Sequence, residues 1–409
     1  MEKEILQHLW VAIIAGGQGT RLFPLSHKGC PKQFCNVDSK HKFIQSTIKR
    51  FTDLGIKPNH VVVITTNDNQ TKLAYEQTAS FGVLRQNIYQ IEPTLDFAGA
   101  MVAATEFILT LDEDAVVINS PADQYIIADE AFTHAIDIAV DYGQYDPTII
   151  GVKATDLIMA KGCGHALYDP NQETDFEVER EDMAFFVTGF VEKPGDEEAN
   201  RLMRQDCSVC NTGITVWPAK MLLESIITTK EIGPGGLKTD VLMNMIMAKK
   251  YSLRVVAGTF SWYDCGTLKS LFEISKKTPN HKNASLGEGI IERTDCRRSL
   301  FYAAEGIHLR ATGIEDCAAL ANVIDERIVI TIVKLSESQR VKQLAEDYEA
   351  NKSFLTDDFA VGARNNFVMR TNFSKEVRVG FVGVDNFIVY SYKHHDGTID
   401  VAVSQQSQF

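Results

Sequence analysis

Short apolar runs alternate with amphipathic stretches through the first two thirds of the chain. VAIIA (11–15) is a continuous apolar run ending at glycines, the pattern of a buried strand. FIQSTIKRF (43–51) has helical spacing, with Phe43, Thr47, Ile48 and Phe51 on one side. VVVITT (61–66) is a β-branched strand, and DNQTKLAYEQTA (68–79) a helix with Asp68 suited to its N-cap. The alternation continues: NIYQIEP (87–93) reads as strand, AGAMVAATEFILTL (98–111) as helix and AVVINSPADQ (115–124) as a strand ending in a polar loop. FTHAIDIAVDYG (132–143) then reads as helix and TIIGVKA (148–154) as strand. Such β-α-β-α order implies an α/β fold with a mostly parallel, doubly wound sheet, whose ligands sit at the carboxyl ends of the strands.

Between 175 and 220 the pattern is more β-like, with FFVTGFVEKP (185–194) and GITVWP (213–218) flanking a polar loop at 195–211. KTDVLMNMIMAKK (238–250) reads as helix, 251–267 as strand then loop, and LKSLFEISKK (268–277) as helix. After about residue 280 the texture changes: 290–314 and 366–403 alternate, and RIVITIVKL (327–335) reads as a strand. SESQRVKQLAEDYEANK (336–352) interrupts it as a charged amphipathic helix. The expected domains are therefore 1–280 and a smaller β-rich 281–409, the latter with a turn at His395-Asp396-Gly397. GIEDC (313–317) and GVDNF (383–387) hint at a weak duplication there.

The net charge of −13 argues against a broad nucleic-acid surface but leaves room for one small anion in a local basic pocket. No apolar run reaches membrane-spanning length, and MEKEILQHLW lacks the pattern of a secretory signal. Eight cysteines scattered along the chain suggest reduced thiols and a cytoplasmic protein. Cys207 and Cys210 form the one C-x-x-C, too little for a four-ligand zinc site.

Chemistry concentrates after the first strand. Ala15-Gly16-Gly17-Gln18-Gly19-Thr20-Arg21 combines bare backbone, which can turn amides toward an anion, with a guanidinium that can fork onto phosphate oxygens. The loop lacks the Gly-Lys-Ser/Thr of a P-loop, and Leu22 stands where a dinucleotide fingerprint needs its third glycine. A tight structural turn is the plain alternative for the loop taken alone.

The combination with later segments is more specific. GGQGTRLFPLS followed by PKQF resembles the sugar-1-phosphate nucleotidyltransferase family, and Lys32-Gln33-Phe34 resembles its mannose-1-phosphate guanylyltransferase branch. Ser120-Pro121-Ala122-Asp123-Gln124, Val191-Glu192-Lys193-Pro194, Cys210-Asn211-Thr212-Gly213 and Trp262-Tyr263-Asp264-Cys265-Gly266-Thr267 resemble further landmarks of the family, in order. The resemblance covers about residues 10–275. It implies a Rossmann-like mixed sheet of the nucleotide-diphospho-sugar transferase type, and attack of a sugar 1-phosphate on the α-phosphorus of a nucleoside triphosphate with loss of pyrophosphate.

Two anions must meet in such a reaction, so catalysis is mostly positioning and electrostatics. The resemblance assigns the triphosphate to Ala15, Gly16, Gly17, Gly19, Thr20 and Arg21, transition-state charge to Lys32, and the sugar phosphate to Lys193. Asp123 and Asp264 would hold Mg2+, whose preferred ligands are carboxylate and phosphate oxygens. Glu92 would accept the paired donors of guanine, favouring GTP. Gly164, Glu192 and Asn211 would line the sugar phosphate site. The chain departs from the family at Gly162-Cys163-Gly164-His165-Ala166, at Asp96-Phe97-Ala98-Gly99-Ala100 and at Gln124, where a histidine is usual. These changes leave open another sugar, such as a heptose or fucose 1-phosphate, or a silent nucleotide-sugar sensor. The tail lacks the His-x-His cluster of a fused cupin isomerase. A homo-oligomer formed through the C-terminal domain is the expected assembly.

Overall fold

The computed structural model describes residues 4–17, 19–36, 41–170, 184–248, 252–275, 279–350, 368–371, 377–382, 384, 387–394 and 396–405. The chain forms two compact units, Met1–Gly16 with Ile44–Asp264, and Gly17–Phe43 with Cys265–Phe409. This division differs from the expected one at residue 280: the glycine-rich turn from Gly17 onward and the PKQF segment group with the C-terminal residues.

The first unit contains β1 (Leu9–Ile14), β2 (Val61–Thr65), β3 (Ile88–Gln90), β4 (Val116–Pro121), β5 (Tyr125–Ile126) and β6 (Thr148–Val152). It continues with β7 (Gly164–Tyr168), β8 (Ala184–Glu192), β9 (Ser208–Pro218), β10 (Arg254–Gly258) and β11 (Trp262–Tyr263). Among the described residues, nine strands make one sheet in the order β3-β2-β1-β4-β9-β6-β10-β8-β7. The first four are mutually parallel; β9 runs antiparallel to both β4 and β6, so the sheet is mixed. Every residue of β1 and β2 is buried, as a strand covered on both faces requires. Ala12, Ile14, Val62 and Ile64 share one core with Met101 of the helix Asp96–Leu109 and Leu242 of the helix Thr239–Met247.

Two local readings change. Asn67, not Asp68, caps the helix Asp68–Thr78, its side chain accepting from the Gln70 amide. Asn67 has the extended backbone a cap needs, and Asp68 is already in the first turn. The polar stretch expected as a loop contains the helix Asp196–Arg204, with three acidic residues in its first turn and Arg201 and Arg204 in its last. Its apolar contribution is confined to Ala199 and Leu202, too sparse a stripe to stand out in the sequence.

The second unit builds its β structure from β12 (Ala284–Leu286), β13 (Ile290–Thr294), β14 (Leu300–Ala303), β15 (Ile307–Thr312) and β16 (Cys317–Ile324). β17 (Arg327–Lys334), β18 (Val368–Thr371), β19 (Val377–Val382), β20 (Phe387–Lys393) and β21 (Ile399–Gln405) complete it. The strands fall into two sheets, β12-β14-β16-β17-β19 and β13-β15-β21-β20-β18. Neighbours such as β14 and β16, or β13 and β15, are parallel, so from β12 to β16 the chain coils between the sheets. Phe301, Leu309, Ile330, Val389 and Val401 lie in the core of this unit; β15 and β21 alternate buried with less buried positions, while β16 and β17 are buried almost throughout. In the second member of the suggested duplication, 383 and 385–386 lie outside the described residues, as does His395 of the expected turn.

Candidate active site

In the first unit the carboxyl ends of the four parallel strands β3, β2, β1 and β4 carry the segments that the motifs single out. The strand order changes direction between β1 and β4, the place where open α/β sheets bind ligands. Ala15 follows β1, its amide donating to Ile64 O at 2.8 Å. The Gly16 carbonyl accepts from Thr66 Oγ1 at 3.1 Å and from Gln70 Nε2 at 3.2 Å. A Cβ on Gly16 would stand 2.6 Å from Thr66 Cγ2, so the close approach to the end of β2 requires glycine. Thr66 and Gln70 therefore shape the loop, though neither belongs to the motif.

Glu92 is exposed just beyond β3, before a 3₁₀ turn at Pro93–Leu95. Ala122, after β4, donates its amide to Ile14 O at 3.0 Å, which ties the Asp123 loop to the end of β1.

Asp123 and Asp264, far apart in sequence, are brought together by a small antiparallel ladder. β5 pairs with β11, Tyr125 opposite Tyr263, with the two ring centres 6.1 Å apart. Asp264 continues β11 and Asp123 precedes β5, so the antiparallel register carries both residues to the same end of the ladder. Asp123 is half-buried and Asp264 exposed. Behind this loop lies Arg50, 4% exposed, its Nη2 donating to Gln124 O at 3.4 Å and its guanidinium 5.8 Å from the Phe132 ring centre. Burial lowers its pKa to about 10. Arg50 lies on the helix Phe43–Thr52 and is invisible to motif reasoning, because a lone arginine in an amphipathic helix reads as a solvated residue. Gln124 donates through Nε2 to Thr212 O at 2.6 Å, linking the same loop to β9.

Strand β7 pairs with both β8 and β9 and gathers the three expected sugar-site residues. Gly164 pairs with Glu192, and its neighbour His165 with Cys210, beside Asn211. A Cβ on Gly164 would come within 2.6 Å of Glu192 Oε2 and of the Phe190 ring, so the carboxylate lies against bare backbone. Asn211 Oδ1 accepts the Gly213 amide at 2.9 Å, which fixes the side chain on the strand. Lys193 is exposed, with φ +43° and its Nζ 3.4 Å from Glu192 Oε1. Its backbone amide donates to Cys163 O at 3.2 Å.

The thiol expectation is corrected here. Cys163 and Cys210 form a disulfide, because the β7–β9 pairing places residues 47 apart in sequence side by side. Cys207, the other cysteine of the C-x-x-C, is a free thiol. Buried His165 lies beside the pair, but its ring is committed: Nε2 is 2.8 Å from Ala160 O and Nδ1 3.1 Å from Ser208 Oγ. With both sulfurs bonded to each other, this cysteine–histidine group offers no metal site. The acidic pair Asp123 and Asp264 is all-oxygen, the donor set that suits Mg2+.

In the second unit, the rest of the glycine loop is built against the PKQF segment. Gln33 Nε2 donates to Gly17 O at 2.8 Å, and Ser26 Oγ donates to Gly19 O. Gly19 has φ +58°, and a Cβ there would meet Lys32 Cβ at 2.5 Å and Lys32 N at 2.8 Å. The loop and the lysine are thus one packed object. Thr20 and Arg21 lie in a 3₁₀ turn, with Arg21 exposed. Lys32 is 4% exposed, its ammonium 5.4 Å from the centre of the Phe43 ring. Phe23 packs on Tyr348 of the helix Val341–Ala350, with ring centres 5.4 Å apart, and Asn322 Nδ2 of β16 donates to Pro24 O at 2.7 Å. The C-terminal part of this unit therefore supports the segment that holds Arg21 and Lys32, a link absent from the motif pattern.

Parallel strands ending in a glycine-rich turn and an acidic pair define a class of α/β proteins that handle phosphorylated ligands. The chain belongs to the nucleotidyl transferase family, whose model matches residues 11–281. Among its relatives, the mannose-1-phosphate guanylyltransferase of Salmonella muenchen is 28% identical over 298 residues, 65% of this chain and 59% of that one. ManC of Salmonella typhimurium, a mannose-1-phosphate guanylyltransferase, is 26% identical over 371 residues, 84% of this chain and 74% of its own. The chain therefore spans about three fifths to three quarters of the length of these relatives. A crystal structure titled mannose-1-phosphate geranyltransferase, from Thermus thermophilus, matches with a TM-score of 0.65 at 22% identity, over 84% of this chain and 99% of that one. That likeness establishes the fold, α/β with a β-rich C-terminal region. The protein is a nucleotidyltransferase, and among the described residues no helix is long and apolar enough to cross a membrane.

Proposed function

We propose that the protein transfers a guanylyl group from GTP to mannose 1-phosphate, giving GDP-mannose and pyrophosphate. The observation that supports this reading is the β5–β11 ladder, whose antiparallel register carries Asp123 and Asp264 to the same end. Mg2+ held by these two carboxylates would neutralise phosphate charge and polarise the α-phosphorus. The Gly16, Gly17 and Gly19 loop, with Ala15 and Thr20, gives the triphosphate a bed of backbone donors, and Arg21 offsets the charge of its outer phosphates. Lys32 counters the charge that develops on the α-phosphate oxygens; its burial strengthens that interaction relative to water. Lys193 receives the attacking sugar phosphate, while Glu192, Asn211 and the bare backbone of Gly164 orient the sugar hydroxyls. Glu92 accepts from the guanine N1–H and 2-amino group. No side-chain nucleophile takes part; the residues align two anions and offset their repulsion. A cytoplasmic setting, supported only by the six cysteines that are free thiols, and assembly of copies through the C-terminal region belong to the same proposal.

The test is pyrophosphate release from a matrix of GTP, ATP, UTP, CTP and dTTP against mannose, glucose, fucose and heptose 1-phosphates, with Mg2+. Release confined to GTP with mannose 1-phosphate is expected. Release with a different pair would overturn the substrate assignment and keep the mechanism; silence in every well would overturn both. Asp264→Ala is expected to abolish release with the fold intact, since the side chain is exposed. Undiminished Mg2+-dependent turnover in that variant would remove Asp264 from the metal site.

A further inference from the structure

The segment that carries Lys32 is bracketed by two thiols that the transfer reaction does not use. Cys30 and Cys35 flank Pro31-Lys32-Gln33-Phe34, and their Sγ atoms stand 3.8 Å apart. A turn joins the ends of the bracket: the Cys35 amide donates to Lys32 O at 2.9 Å, and the Phe34 amide to Pro31 O at 2.9 Å. Cys35 is buried, with its Sγ 3.2 Å from Leu25 O, while Cys30 is partly exposed. A cavity of about 220 Å³ adjoins both cysteines, lined also by His27, Lys42, Glu288 and Tyr302. Lys42 Nζ lies 3.6 Å from Glu288 Oε1 in its wall. The whole arrangement lies within the second unit.

We propose that Cys30 and Cys35 form an oxidation site, a dithiol that a small hydroperoxide entering this cavity converts to a disulfide, displacing Lys32. The two sulfurs have unequal parts. The hydrogen bond between the two sulfurs lowers the Cys30 pKa below its ordinary value and raises that of Cys35, and Lys42 adds positive potential at Cys30. Thiolate character and access to the cavity make Cys30 the attacking sulfur. Its sulfur takes one peroxide oxygen as the O–O bond breaks, and the other oxygen leaves as water or alcohol. Cys35 sulfur then attacks the sulfenic sulfur of Cys30; the S–O bond breaks, and the hydroxyl leaves with the Cys35 proton as water. Two thiols lose two electrons, and the peroxide gains them.

Closure must bring the sulfurs from 3.8 Å to about 2.05 Å, an approach shared between rotation of the two side chains and movement of the turn that carries them. Lys32 lies within that turn and its backbone is packed closely against Gly19, so the part of the movement that falls on the turn displaces the lysine. The effect on turnover rests on the role proposed for Lys32; the oxidation itself does not.

The experiment treats the full-length protein with hydrogen peroxide, alkylates remaining thiols, and maps tryptic peptides by mass. In parallel, pyrophosphate release is followed before and after treatment, then after dithiothreitol. The expected result is a disulfide joining peptides 29–32 and 33–40, a fall in release of at least about tenfold, and recovery on reduction. Cys30→Ser and Cys35→Ser should each keep the untreated rate and lose the reversible response. Absence of the 29–32/33–40 crosslink, with other cysteines oxidised instead, would overturn the site. A crosslink with unchanged turnover would overturn the coupling to Lys32. If untreated protein releases no pyrophosphate, the transferase assignment fails, while the peptide map still decides whether the dithiol closes.

Discussion

Gly19→Ala probes the joint between the glycine loop and Lys32. The substitution adds one methyl group at a residue with φ +58°, 2.5 Å from Lys32 Cβ and 2.8 Å from Lys32 N. The backbone conformation alone costs an L-residue about 1–2 kcal/mol. Carbon atoms prefer separations of about 3.5 Å or more, so the contact must open by about 1 Å. Neither neighbouring atom is the end of a flexible chain, so the movement falls on the Lys32 backbone. A misplacement of about 1 Å in a charged positioning group can cost about 100-fold in rate, or about 2.7 kcal/mol in the barrier. Urea denaturation and steady-state pyrophosphate release measure the two parts separately. Gly19→Ala should lose at least about 2 kcal/mol of stability, the backbone and overpacking costs together, and about 100-fold in kcat. Gly17→Ala is the comparison: no atom lies within 4 Å of its Cβ, so stability should stay within about 0.5 kcal/mol of the parent. A Gly19→Ala protein with parental stability and turnover would refute the claim that the loop and lysine form one rigid object.

The other side chains support three further expectations. Gly164→Ala places a Cβ 2.6 Å from Glu192 Oε2 and from the Phe190 ring; KM for the sugar phosphate should rise about tenfold or more with KM for GTP unchanged, as read by steady-state kinetics. Reduction of Cys163–Cys210 reopens a loop of sequence separation 47, and chain entropy gives a loss of about 4 kcal/mol, with about 2–4 expected in urea unfolding. Equal unfolding curves with and without reductant would exclude a stabilising bridge. Burial lowers the pKa of His165 and of His27 from 6.5. The unfolded chain then takes up protons first as pH falls, so stability is full above about pH 6.5 and declines below it. Denaturation midpoints between about pH 7.5 and about pH 5.5 should show the decline, and His165→Asn should remove the part of it due to His165, leaving that of His27.

Much of the element order is legible from periodicity. Continuous apolar runs mark β1, β2 and β4 because both sheet faces are covered, and alternation marks β13, β15 and β21, whereas β16 and β17 are buried along nearly their whole length. The helix Phe43–Thr52 buries Phe43, Thr47, Ile48 and Phe51, the side its spacing shows. The helix Asp196–Arg204 escapes notice because only two of its side chains are buried, and the cap at Asn67 shifts by one residue because local hydrogen-bonding chemistry permits either. The motif residues are legible one by one, since glycines, cations and carboxylates at fixed spacings each carry a chemical requirement.

The sequence by itself determines the alternation of strands and helices, the glycine loop, the order of motifs and hence the family. Their spatial grouping belongs to the tertiary structure. Only the β5–β11 register brings Asp123 to Asp264, only the β8–β7–β9 pairing gathers Glu192, Gly164 and Asn211, and the same pairing joins Cys163 to Cys210. Arg50 behind the Asp123 loop, and the support of the Arg21–Lys32 segment by Asn322 and Tyr348, likewise have no local signature. The physical reason is common to all of these: periodicity and propensity act over a few residues, whereas strand register and close packing are decided by contacts between segments tens to hundreds of residues apart.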